Sequence, residues 1–208
     1  MKGLMLNQID MMKGRLTLFF VLSCFVTIIN LFNDPHLNSG MIIYILPTTV
    51  LIESIRQDET SGWVQFLSTT PVSRKAYVQS VYATFLAISL AITIFASIMT
   101  LIIHHSALKA FSNGIFGIGF ALNMSVILAV IIKKGASDSK GAQIVTILLC
   151  VLFILFLTIA PMIFFTTVLK LPDTLAFFYS RVILLLLGIV VAYIGYAIAT
   201  KSFMNKDL

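Results

Sequence analysis

The chain has 208 residues, 59% of them hydrophobic and 11% charged, with a mean hydropathy of +1.04 and a formal net charge of +6. An ordinary soluble domain has about a quarter of its residues charged, and so few charges gathered in short stretches cannot cover a water-soluble fold of this size. The 14 Lys and Arg against 8 Asp and Glu flank apolar runs without forming a basic stripe with interleaved aromatics, so the charge reads as membrane orientation and no nucleic-acid partner is expected.

In chain order, Met1, Met5, Ile9 and Met12 recur at helical spacing opposite Lys2, Asn7 and Asp10, which predicts a helix lying in the interface over residues 1–14. Six apolar runs then reach bilayer length, over residues 16–32, 37–55, 78–103, 113–132, 144–169 and 182–200. They lack the alternation of a barrel, and a helix satisfies its backbone groups within one segment, so the fold class is an all-α polytopic membrane protein. The second run carries Pro47 near its middle and Glu53 near one end, which allows a kink or a later start near Met41. The third and fifth runs are long enough to tilt or project, and Pro161 offers a break in the fifth.

Loop charges set the orientation. The N-terminus, the second-to-third and fourth-to-fifth connections and the C-terminus carry Lys2, Lys13, Arg15, Arg56, Arg74, Lys75, Lys133, Lys134, Lys140, Lys201 and Lys206. The opposite connections carry only Lys109, Lys170 and Arg181. Since Lys and Arg are retained in the cytoplasm, a multi-pass protein of the plasma membrane with both termini inside is expected. The outer connections, residues 33–36, 104–112 and 170–179, are too short for a domain that recognises ligands.

The usual chemistry is missing from the apolar runs. Cys24 and Cys150 lie within them and read as small buried hydrophobes, and His36, His104 and His105 read as solvated loop residues with no metal spacing. The run around Cys24 continues past it without a small-residue cleavage site, against a lipoprotein signal. Gly114, Gly117 and Gly119, and Gly188, Ala192 and Gly195, read as faces for close helix contact. Apart from Glu53 no acid or histidine lies within the runs, which disfavours an ion-driven carrier or an intramembrane hydrolase. There is no phosphate-binding P-loop. Uphill transport would then need a separate cytoplasmic engine.

Residues 52–77 read I-E-S-I-R-Q-D-E-T-S-G-W-V-Q-F-L-S-T-T-P-V-S-R-K-A-Y. Trp63, Phe66, Leu67 and Thr70 fall at i, i+3, i+4 and i+7, which predicts a short helix with one apolar face, capped by Asp58, Thr60 or Ser61 and ended by Pro71. Such a helix is marginal alone in water. Its face is expected either at headgroup depth or in a groove on a cytoplasmic partner.

This run resembles the first cytoplasmic loop of ABC-2 type permeases of bacterial ABC exporters, in which acidic residues precede a Gly-Trp coupling helix and a Pro-Val-Ser-Arg turn leads into the third span. The chain's size and loop are also similar to those of permeases exporting phenol-soluble modulins, which are short amphipathic peptides. The resemblance implies one transmembrane domain over 1–208, with an interfacial helix at 1–14 and a cytoplasmic coupling segment at 56–76. It implies that Glu53, Arg56, Asp58, Glu59, Trp63, Phe66, Leu67 and Arg74 couple to a cytoplasmic ABC ATPase. ATP and Mg would bind that partner, with no cofactor on this chain. It further implies a second permease, identical or related, and an amphipathic peptide or lipid-like substrate. Phe153, Phe156, Thr158, Phe164 and Phe165 are candidates for the substrate path, with packing as their plainer reading. A membrane scaffold, sensor or assembly factor is the alternative function.

Overall fold

The computed structural model describes residues 41–63, 73–135 and 140–205, together with residues 14, 17, 21 and 25. The expected interfacial helix and first span lie almost wholly outside the described residues. Helix α1 is Met41–Thr60, α2 is Arg74–His104, α3 is Ala107–Met124, α4 is Val126–Lys134, α5 is Lys140–Thr167 and α6 is Asp173–Met204. Among the described residues four segments are long and apolar enough to cross a membrane: α2, α3 with α4 as one unit, α5 and α6. The run expected as the second span forms α1 within the described residues, Met41–Thr60, and is not among those four segments.

The helices are longer than the apolar runs that announced them. The connection expected over residues 104–112 contracts to His105 and Ser106, because His105 closes α2 with left-handed backbone (φ 48°) and Ser106 caps α3 by accepting from the Lys109 amide. The connection expected over 170–179 likewise contracts, since α6 begins at Asp173 directly after Pro172. Arg181, counted above as an outer-loop residue, therefore lies within a helix. Pro161 sits inside α5 without ending it.

The α3–α4 unit is the centre of the bundle, with 78% of its apolar stretch buried, whereas the corresponding values for α2, α5 and α6 are 28%, 17% and 22%. The join at Ser125 is tight: its hydroxyl donates to the Leu122 carbonyl at 2.7 Å, and the Tyr82 hydroxyl donates to the Ser125 carbonyl at 3.3 Å. Since lipid is as apolar as leucine, close approach and interhelical hydrogen bonds must hold such helices together. Both occur where α3 meets α6. A Cβ on Gly119 would stand 3.1 Å from the Leu185 amide nitrogen, and Asn123 donates to the Gly119 carbonyl at 2.8 Å and the Leu184 carbonyl at 3.3 Å. The small-residue faces read from the sequence are therefore helix contacts. The alternation of helices brings Arg74, Lys75, Lys134, Lys140 and Lys201 to one end of the bundle, called here the basic end.

Candidate functional site

At the basic end, the last turns of α1 meet the first turn of α2. Helix α1 stops at a glycine: Gly62 takes φ 71°, a left-handed conformation that a side chain would disfavour, and the Ser61 and Gly62 amides bond back to the carbonyls of Gln57 and Glu59. The chain turns sharply here, and Trp63 resumes helical backbone. Its indole is partly buried against the core of this chain. Helix α2 restarts at Ser73, whose side chain accepts from the Ala76 amide at 3.2 Å.

Between these two ends lies a buried polar pair. Asp58 is 1% exposed, and its Oδ2 accepts a hydrogen bond from the Tyr77 hydroxyl at 3.0 Å. The Tyr77 ring stacks on Phe203 of α6 with centroids 5.3 Å apart. Burial, and secondarily the nearby Glu59 charge, pushes the Asp58 carboxyl above its ordinary value despite the opposing hydrogen bond. The expectation that Asp58 caps a loop helix does not hold, because α1 runs through it to Thr60 and its carboxylate faces α2. The shared cause is that a lone aspartate before an apolar helix looks like a cap in sequence, while only the fold supplies a buried phenol.

Around the pair, Arg56 and Glu53 form a part-exposed ion pair at 2.9 Å one turn apart on α1. The Glu59 carboxylate lies over Gly135 at the end of α4, where a Cβ would meet its oxygens at 3.6 Å and the backbone is left-handed (φ 90°). Arg74 donates to the Met204 carbonyl of α6 at 3.2 Å. The structure thus brings Glu53, Arg56, Asp58, Glu59, Trp63 and Arg74 to one end of the bundle. Phe66 and Leu67 lie outside the described residues. Tyr77, Phe203 and Gly135 were not singled out by sequence reasoning; Tyr77 alone had a signal, as a phenol at the polar rim of an apolar run.

The candidate substrate-path residues all lie on α5, where Phe164 and its neighbour Phe165 have ring centroids 5.9 Å apart. Phe153, Phe156 and Phe164 face outward from α5, at 44%, 65% and 52% exposure. Thr158 is buried with its hydroxyl on the Ile154 carbonyl, and Phe165 packs on Tyr179.

At the opposite end, the structure shows a network that sequence reading missed. Arg181 is buried, and its Nη1 donates to Ser112 Oγ at 2.7 Å and Asn113 Oδ1 at 2.9 Å. Asn113 in turn donates to Thr100 Oγ1 at 2.9 Å, which ties α2, α3 and α6 together. The guanidinium also lies 5.6 Å from the Phe116 ring centroid and 5.9 Å from that of Phe177.

The family model described as ABC-2 family transporter protein matches residues 3–204, nearly the whole chain. No curated protein and no solved structure matches it.

Proposed function

Because the chain belongs to the ABC-2 family of membrane transport permeases, we propose that it is the transmembrane subunit of an ATP-driven exporter. It would work as a pair with itself or a related permease, above two cytoplasmic ABC ATPases that bind ATP and Mg. We take the basic end as the cytoplasmic one, since Lys and Arg are retained there, and in this reading Glu53, Arg56, Asp58, Glu59, Trp63 and Arg74 stand on the side of the ATPase.

The observation that carries this reading is the Asp58–Tyr77 bond. Asp58 is buried and acts as a positioning residue, while Glu53, Arg56, Glu59 and Trp63 present the docking surface. A push on the segment that follows Trp63 is delivered to α1 and α2 together, because the bond joins them on either side of that segment. Helix α2 then runs about 35 Å from Tyr77 to Thr100, near the Arg181 network. Movement at the ATPase end is so delivered to the far end of the bundle. The substrate class is an amphipathic peptide or lipid-like molecule, of which phenol-soluble modulins are an example, moved outward from the membrane or the cytoplasm.

The test uses Trp63→Ala and Glu53→Lys, both at part-exposed positions. Asp58→Lys is unsuitable, because a buried ammonium there would disturb the fold itself. The expected result is normal membrane insertion, loss of ATPase co-purification or stimulation, and loss of export. Full coupling in both variants would overturn the docking assignment. A tagged chain that recovers a signalling protein and no nucleotide-binding subunit would support a scaffold instead.

A further inference from the structure

Between the start of α2 and the end of α6 lies an open groove of about 380 Å³, lined by Lys75, Lys201, Tyr193, Tyr196 and Thr200 among others. Both lysines are exposed, and no carboxylate among the described residues pairs with either. Thr200 adds an unused donor. Thr93, Thr100, Thr146 and Thr158 each place their hydroxyl on the carbonyl four residues back, whereas the buried Thr200 Oγ1 has no partner among the described residues. Tyr193 is 73% exposed on the same wall. Two ammoniums and a phenol line a space of ligand size with no acid among the described residues of its lining, and the unpartnered Thr200 hydroxyl lies buried in its wall.

The surface away from the bundle's end is apolar. Leu86 follows Lys75 by three helical turns on one face of α2, Val190 precedes Lys201 by three turns on one face of α6, and both are exposed. Beneath each ammonium, about 16 Å along its helix, an apolar side chain thus faces the surroundings. A headgroup held at the lysines would leave its acyl chains lying on these faces.

The geometry points to a binding site for one anionic phospholipid, its phosphate held by Lys75, Lys201 and Thr200 and its chains lying along α2 and α6. Charge complementarity and the apolar faces together select a lipid, since a free phosphate would use only the polar rim. The site stands on this groove alone and does not need coupling to an ATPase.

Native mass spectrometry of the purified full chain, titrated with phosphatidylglycerol, phosphatidylcholine or glycerol phosphate, tests it. Each lysine near a membrane surface contributes about fivefold to anionic lipid affinity. Lys75→Gln with Lys201→Gln is therefore expected to weaken the first phosphatidylglycerol about thirtyfold and leave phosphatidylcholine unchanged. The charge-keeping pair Lys75→Arg with Lys201→Arg should retain binding. Thr200→Val, nearly isosteric, gives an independent reading that does not alter charge, and a several-fold weakening is expected. Equal phosphatidylglycerol binding in wild type and the glutamine pair would overturn the proposal. So would glycerol phosphate binding as tightly as the lipid, which would make this a site for a soluble phosphate.

Discussion

The Tyr77 hydroxyl donates to Asp58 Oδ2 over 3.0 Å, across the point where α1 ends and α2 begins, with both side chains shut away from solvent. The other carboxylate oxygen, Oδ1, has no hydrogen-bond partner among the described residues. An ionised carboxylate with one of its two oxygens unsatisfied is costly to bury, which is why burial dominates the rise of the Asp58 pKa. The Tyr77 phenol, an O–H donor, supplies the one hydrogen bond that the carboxylate receives among the described residues.

A pH dependence follows. A carboxyl whose folded pKa exceeds its unfolded value binds its proton more tightly in the folded chain. Its contribution to stability is therefore most favourable below 3.8, the ordinary value, and declines as pH rises through the window between 3.8 and the raised folded value. Asp58→Asn keeps an acceptor for Tyr77 without a charge. Thermal unfolding in detergent from about pH 4 to 7 is expected to show a weaker decline in Asp58→Asn than in wild type. Identical slopes would exclude Asp58 as the titrating group.

Removing the donor instead should be harmful. Tyr77→Phe preserves the ring that stacks on Phe203 but withdraws the bond to Asp58. A loss of about 1–3 kcal/mol is expected. Asp58→Asn made in the Tyr77→Phe background should recover part of it by removing the buried charge. If the double variant is no more stable than Tyr77→Phe, the unsatisfied charge was not the source of the loss.

Arg181 holds the other end. Arg181→Ala removes two hydrogen bonds and leaves Ser112 and Asn113 in a buried site, at a cost of about 2–4 kcal/mol. Arg181→Lys restores the charge but loses the flat guanidinium against Phe116 and Phe177, so it should recover only part of the stability. The midpoint of unfolding in mixed detergent and SDS reads both. A wild-type midpoint in Arg181→Ala would show that the network does not secure α3 to α6.

What was legible in the sequence was whatever depends on runs of one kind of residue. The helices α2, α3 with α4, α5 and α6 follow from apolar length, and close-contact faces on α3 and α6 from Gly119 and Gly188, whereas only the fold shows that these two faces meet. Helix ends are harder to place from sequence, because a charged residue beside an apolar run looks like a loop. Arg181 lies inside a helix, and Ser112 and Asn113 accept from its Nη1 from another element, 69 and 68 residues away. Asp58 was read from its sequence neighbours, whereas its partner Tyr77 lies 19 residues on. Local pattern carries the period of an element but not the identity of a long-range polar partner.

The glycines give a final test, because two of them are crowded for different reasons. A Cβ at Gly188 would stand 2.9 Å from Asn123 Nδ2, 3.0 Å from the Gly119 carbonyl oxygen and 3.1 Å from Leu122 Cβ. None of these yields easily: the carbonyl is helix backbone, and Asn123 is fixed by its bonds to the Gly119 and Leu184 carbonyls. At Gly114 the nearest atom is Ser97 Oγ at 3.1 Å, a hydroxyl that rotates away about χ1. Gly188→Ala should therefore force α6 from α3 and cost about 1–3 kcal/mol. Gly114→Ala should be near neutral, or stabilising by up to about 1 kcal/mol from the better helix former. Unfolding midpoints of the two variants decide it. Equal losses would mean that the α3–α6 approach at Asn123 is no tighter than the α2–α3 contact at Ser97, and the central packing described above would not hold.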